Sequence, residues 1–595
     1  MKVAVSISHF VLLFLSVFQW VSAEVVYFSI VLTWEEKEVA GFTRDVILVN
    51  DSFPGPELRL VQGDDVIFDV KNECPFNVTV HFHGIDQKGT PWSDGVPGLS
   101  QRPIVSGTKF RYQWTADQYG SYFYHAHHRG QLEDGLYGAI YIEPANSVER
   151  PFSLLTTEEA ELQAMIVAEK NTSPLILSDW RLLTSEQIWD AEEASGVDAY
   201  CANALLINGL GSVSCLPRAE LDAISAIPNF QLILGNTTLT DIACFPPNNV
   251  PAEGDYPHDY SKLLPTMFEG CTASQSAHEV LTVNANDRYV SWDLISPAGI
   301  LALTFSIDQH DMYVYAIDGR YIQPYLVNAI NIPNANRFSV MVPLNQEPGD
   351  YTIRLITGDE QQQILNTTAT MHYEGHSEFT GPSEPWIDLL GQNTTIDTIF
   401  YNESLVVPFP VVSPSATVDE TYILNIQHYN ASYLWTLGNS SFNLELEESQ
   451  PLLFNQHAIP NDLIIRTKNG SWVDLIIQVD TPFQAAHPIH KHSNKHFAIG
   501  SGNGTFTWSS VEEAMQDIPE SFNLINPPIK DTTAAPTSLT GPVWMVLRYQ
   551  VVIPGAFLLH CHIQVHQSGG MALAILDGVD AWPRIPDAYL YDSGF

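Results

Sequence analysis

Gly555-Ala-Phe-Leu-Leu-His560-Cys561-His562-Ile-Gln-Val-His566 decides how this chain is read. A β-rich run, Val543 to Val551, leads through Pro554-Gly555 into an apolar stretch that ends in His-Cys-His. In a strand, residues i and i+2 share a face and i+1 takes the other. His560 and His562 therefore point into one site. Cys561 points into a second, only a few covalent bonds away. Three further clusters repeat the device: His81-Phe-His83, His125-Ala-His127 and His487-Pro-Ile-His490-Lys-His492. The four clusters hold ten of the twenty histidines. Histidine is the commonest metal ligand, and four His-x-His pairs supply enough imidazoles for a polynuclear cluster. A thiolate with two imidazoles and a weak axial Met is the donor set of blue-copper electron-transfer sites. Cys561, His487, His566 and Met571 would supply that set here.

An internal comparison separates the two sites. Gly120-Ser-Tyr-Phe-Tyr-His125-Ala-His127 aligns without gaps on Gly555 to His562, and His81 and His83 align on His490 and His492. In that register Val78 stands for His487, Ala126 for Cys561 and Gln131 for His566. The N-terminal copy keeps the cluster ligands and lacks the electron-transfer ligands. Two related modules sharing one cluster at their interface explain this sorting.

His-x-His-Gly, Trp92-Ser-Asp-Gly95, Tyr-His-x-His, His-Pro-x-His-x-His and His-Cys-His-x3-His-x3-Gly-Met resemble the copper signatures of the multicopper oxidases. Over its mature length the chain looks like a three-domain laccase-type enzyme. His490 to Lys495 and Gln131 to Gly138 resemble the fungal pigment-associated branch, including conidial pigment oxidases. The resemblance implies an all-β fold of three cupredoxin-like β-sandwich domains: domain 1 at 24–148, domain 2 at 149–379, without copper and framing the substrate cleft, and domain 3 at 380–595. It implies four copper ions. Type 2 copper takes His81 and His490. The type 3 pair takes His83, His125 and His562 on one ion and His127, His492 and His560 on the other. Type 1 copper takes His487, Cys561 and His566, with Met571 axial. A reducing substrate is expected at an exposed edge of His487, its electron passing through Cys561 to the cluster where O2 is reduced. Asp94 matches the carboxylate beside the cluster that relays protons. Where some relatives carry an acid, this chain has Gln564, which cannot titrate.

Composition agrees with a multidomain, secreted protein. The chain has 595 residues, too many for one ordinary core. Its 68 acidic against 26 basic residues give a formal net charge of -42, a surface that repels nucleic acid and anionic membranes. Residues 1–23 read as a signal peptide ending Val-Ser-Ala23, and neither a later apolar span nor the C-terminus, Asp592 to Phe595, suggests a membrane anchor. An extracellular or cell-wall location and a monomer are expected. Sequons at Asn77, Asn236, Asn366, Asn393, Asn430 and Asn503 suit a glycoprotein. Beyond Cys561, five cysteines allow two bridges and one free thiol; Cys201, Cys215, Cys244 and Cys271 lie close in sequence, with connectivity open.

Other expectations are local. Glu158–Glu169 and Ser185–Ala194 read as short helices, and Cys215 to Cys271 as a loop-rich insertion. His128 and His496 fall out of phase with their motifs and read as bystanders. His372 and His376 have helical spacing and no assignment. Laccase-type relatives oxidise phenols, naphthols and aromatic amines with help from an acid just before Leu-Ile-Asn-Gly; at that place before Leu206 stands Asn203. This departure keeps open a ferroxidase, with Asp198 as a contributor near His487. A non-catalytic copper-storage protein is the third reading, and it leaves the Cys561 link unexplained.

Overall fold

The computed structural model describes residues 24–249, 253–358, 362–375 and 383–590. The expected signal peptide, the stretch 591–595, His376 and the boundary at 379 lie outside these residues. No helix among the described residues is long and apolar enough to cross a membrane.

Strands alternate inward apolar and outward polar residues, as Asp65–Asn72 does with Val66, Phe68 and Val70 buried. Such strands form six sheets in three consecutive pairs. In the first pair, a sheet ordered Phe42–Val49, Val25–Val39, Asp65–Asn72, Lys109–Thr115 faces one ordered Gly55–Val61, Tyr137–Glu143, Gly120–Ala126, Val80–His83. Ile30, Leu32, Phe68, Phe82, Tyr124 and Ile140 pack in the core between them. Fully burying each of these large side chains contributes about 1.5–3 kcal/mol. The middle pair has six and five strands between Ser173 and Tyr373, and the last pair six and five between Glu420 and Asp577. The all-β reading of three cupredoxin-like sandwiches therefore holds.

Register reproduces the internal repeat in three dimensions. Gly120–Ala126 pairs antiparallel with Val80–His83, placing His125 opposite His81 and Ala126 opposite Val80. Gly555–Cys561 pairs antiparallel with Pro488–Lys491, placing His560 opposite His490 and Cys561 opposite Ile489. His127, His492 and His562 lie one residue past their strand ends. Each ligand pair thus sits where a strand leaves its sheet, free to face the other module.

Helices occur at Glu159–Lys170 and Ser185–Ser195, close to expectation. The second starts at a Thr184–Gln187 capping box and stops at Gly196, whose φ of 77° favours glycine. The insertion between Cys215 and Cys271 is not simply loop. It carries helices Arg218–Ser225 and Pro228–Leu234, which bury Leu221, Ile224, Phe230 and Leu234 in the middle core. These helices are too short to show periodicity beyond one or two turns. Disulfides join Cys201 to Cys244 and Cys215 to Cys271, leaving Cys74 and Cys561 as free thiols. The helical spacing read at His372 is also corrected: it lies in the strand Asn366–Tyr373, with Nδ1 2.6 Å from Asp350 Oδ1.

Candidate metal centre

Eight imidazoles converge between the first and last sandwiches. Ligand atoms of His81, His83 and His490 lie within 4.8 Å of one another, as do those of His83, His125 and His562, and of His127, His492 and His560. None of the eight is more than 3% exposed. Hydrogen bonds aim the rings. His81 Nδ1 donates to Asp94 O at 2.6 Å, His125 Nδ1 to Ala126 O at 2.7 Å, and His490 Nδ1 to Asp531 O at 2.9 Å. In each ring Nε2 is left buried without a hydrogen bond. His83 is turned the other way: its Nε2 meets Asp531 Oδ1 at 3.2 Å, leaving Nδ1 orphaned.

These rings fit a metal cluster. His560 Nδ1 donates to Cys561 O at 2.8 Å and His492 Nδ1 to Asp94 Oδ2 at 2.9 Å, so each Nε2 carries a lone pair. Yet the two Nε2 atoms are 3.2 Å apart, with His127 Nε2 3.4 Å from His560 Nε2. A shared cation would accommodate lone pairs that face each other this closely. Protonation is disfavoured: burial, reinforced by neighbouring imidazoles, pushes His125, His127, His490, His492 and His562 far below the usual imidazole range. Burial also takes His560 down to about 3. Neutral imidazoles are what a metal requires.

Asp94 is fully buried. It follows the short 3-10 turn Pro91–Ser93, and Gly95 lets it approach, since a Cβ there would lie 1.9 Å from Val80 O. Burial raises its carboxyl, with His81 opposing. A second buried carboxylate, Asp531, was not foreseen from sequence. It binds both terminal guanidinium nitrogens of Arg337 at 2.7 Å and Lys495 Nζ at 2.6 Å, besides His83. Lys530-Asp-Thr-Thr533 carries no signature; only the contacts with the distant Arg337 and His83 disclose the role.

On the opposite face of the Gly555–Cys561 strand, Cys561 Sγ lies 3.9 Å from His487 Nδ1 and 3.7 Å from His566 Nδ1. Burial pushes the thiol up, so a bound metal must displace its proton. Met571 is fully buried and tied into the same knot: its N donates to His566 O at 2.9 Å and its O accepts from Cys561 N at 3.1 Å. Trp435 packs on His566 and His487, with ring centroids at 4.4 and 5.5 Å.

One expectation about the substrate side is corrected. His487 offers no exposed edge, being 1% exposed, whereas His566 is 7% exposed. Asp198 stands at His566 rather than His487, with Oδ2 3.5 Å from His566 Nε2. Asn203 is a structural clasp: Oδ1 accepts from Leu182 N and Nδ2 donates to Thr266 O, both at 2.9 Å. His128 and His496 join none of the metal-binding groups of the described residues and bond instead to Glu448 Oε1 at 3.2 Å and Thr533 Oγ1 at 2.8 Å.

Three sandwiches, a buried eight-imidazole cluster and an adjacent Cys-His-His site define a copper-dependent oxidoreductase. Multicopper oxidase family profiles match residues 31–147, 171–376 and 429–581. Laccase abr2 of Aspergillus fumigatus is 42% identical over 570 residues, covering 95% of this chain and 96% of that protein. Multicopper oxidase MCE of Talaromyces pinophilus is 40% identical over 582 residues, covering 96% and 95%. The crystal structure of the Botrytis aclada laccase superposes with a TM-score of 0.70 at 22% identity, over 96% of this chain and 90% of that one. Fet3p, a multicopper oxidase that functions in iron import, gives 0.68 at 19% identity, over 95% and 94%. The chain belongs to the multicopper oxidases and is an oxidoreductase of the laccase type, a class that carries four copper ions.

Proposed function

We propose that the protein oxidises small phenolic or naphtholic substrates one electron at a time and reduces O2 to water, in the service of pigment formation. One observation carries this reading: Cys561 faces His487 and His566 while its chain neighbours His560 and His562 lie in the imidazole cluster. Bound copper supplies one-electron oxidation at the thiolate site and O2 reduction at the cluster. Type 1 copper would be held by His487, Cys561, His566 and Met571, type 2 by His81 and His490, and type 3 by His83, His125, His562 and His127, His492, His560. Domains are placed at 24–148, 149–379 and 380–595, in a secreted, glycosylated monomer. Asp94 holds His492 and relays protons to the cluster.

Substrate docks at His566, the less covered imidazole, where Asp198 accepts a hydrogen bond from a phenolic hydroxyl. A second reading, oxidation of Fe(II), draws on the same carboxylate: Asp198 Oδ1 is buried without a hydrogen bond beside His566. Turnover of a dihydroxynaphthalene and of Fe(II) on one preparation decides between them; faster Fe(II) turnover overturns the phenol reading. Cys561→Ser should abolish the blue absorbance and O2 uptake together. A variant still blue and active would refute the electron route.

A further inference from the structure

Reducing dioxygen consumes protons and electrons equally (O2 + 4 e– + 4 H+ → 2 H2O), so a buried cluster needs a proton supply. Asp94 serves one side. On the side of His562 stands Gln564, an amide that does not titrate. Its Nε2 lies 3.3 Å from His562 O and 3.4 Å from Gln567 Oε1, and Gln567 Nε2 lies 3.3 Å from His127 Nδ1. The backbone N of Gln564 donates to Gly299 O at 2.7 Å.

Glu133 rests on that same glycine. A Cβ on Gly299 would fall 2.6 Å from Glu133 Oε1, so a side chain there would displace the carboxyl. Glu133 and Gln564 line one cavity of about 10 Å3 with Ser185, Ser568 and Glu192. That is space for about one water, with several polar partners. An adjoining cleft of about 570 Å3 shares Arg129, Ser185, Trp189 and Ser568 with it. The cleft's rim carries exposed Glu186, Asp190 and Glu193. The Glu133 side chain is 8% exposed, and its Oε1 makes no hydrogen bond with the described residues. Burial is the main influence on its acidity. Arg181, 3.6 Å away, and Arg44 lower the value, whereas Asp179 and Asp134 raise it, and Glu192 shares the cavity. The net effect pushes the carboxyl up to about 7.

We propose that Glu133 stores and releases protons for the His562 side of the cluster, the task a carboxylate at position 564 would otherwise perform. Its O–H bond breaks, the proton passes to a water in the cavity beside Gln564, and a proton moves on toward the imidazole cluster. Water of the cleft then reprotonates the carboxylate. Glu133 acts through water and is a positioning residue.

The inference rests on the copper-oxidase reading above, and the test keeps the two apart. Holoenzyme variants Glu133→Gln and Glu133→Asp are compared with wild type. Glu133→Gln should keep its blue absorbance and be bleached anaerobically by a phenol at the wild-type rate. Reoxidation by O2 should slow roughly tenfold or more and lose its decline above about pH 7. Infrared titration should show a protonated-carboxyl component vanishing near pH 7 whose amplitude drops in Glu133→Gln, Asp293 titrating in the same range in both proteins. Glu133→Asp should keep a pH-dependent reoxidation with a shifted midpoint, which decides the matter should Glu133→Gln fail to accumulate. Wild-type reoxidation and pH profile in Glu133→Gln, an infrared component of undiminished amplitude there, or an unshifted profile in Glu133→Asp overturns the proposal. A wild-type holoenzyme that is not blue refutes the copper reading instead.

Discussion

Asp531→Asn removes one charge and almost no volume, so it isolates what that charge does. Asp531 is 1% exposed and pairs with Arg337, which is fully buried, and with Lys495. Burial works to raise its carboxyl, but Arg337, Lys495 and the His83 hydrogen bond outweigh it and hold the group well below the usual carboxylate range. In the variant Arg337 keeps Asp318 alone among these carboxylates, 3.3 Å from Nη1. Removing one partner of a buried ion pair costs about 3–5 kcal/mol, an upper bound here because Asp318 stays beside Arg337. A depressed carboxyl contributes stability above its unfolded value of about 3.9 and loses it below. The deficit should therefore be full at neutral pH and shrink as the pH falls below about 4. A second effect is local: His83 loses the carboxylate 3.2 Å from its Nε2. Losing such an outer partner weakens metal binding about 10–100-fold. Asp474→Asn is the control, because Asp474 and Arg548 form a buried pair at 2.7 Å without contact to the imidazoles. Copper retained on dialysis against graded chelator is measured beside chemical unfolding. Both variants should lose stability, and Asp531→Asn alone should lose copper affinity. Equal copper retention in the two would reduce Asp531 to an ordinary structural ion pair.

Asn203→Asp should leave phenol turnover and its pH optimum unchanged, yet cost about 1–3 kcal/mol, because a carboxylate oxygen would face Thr266 O where Nδ2 now donates. Denaturation and turnover on one preparation check this; a changed pH optimum would put the residue in contact with substrate. Glu133→Gln should melt higher than wild type at pH 8 and equally at pH 4. A carboxyl raised from 4.5 to about 7 on folding is uncharged and harmless below its unfolded value. Charging it above the folded value costs roughly 3 kcal/mol. A difference in melting independent of pH would show that no such titration occurs.

The gathering of the imidazoles was legible because His-x-His works through the period-two geometry of one strand, which needs no knowledge of neighbours. The same alternation sent Cys561 away from His560 and His562, and the internal repeat separated the two donor sets. Asp94 could be found through Trp-Ser-Asp-Gly because a local glycine turn holds it. Asp531 could not, since it meets His83 across 448 residues and Arg337 across 194. Glu133 was equally silent: its acidity comes from burial against Gly299 and from distant charges. Which imidazole lies nearer solvent was set by tertiary packing, and Asn203 is held by Leu182 and Thr266, partners that its local sequence does not disclose. Strand periodicity pointed to paired imidazoles and a separate thiolate, and the family resemblance implied the fold class and the copper ligands. Tertiary packing decided the proton chemistry and the substrate face, because burial and charge pairing are set by residues far away in the chain.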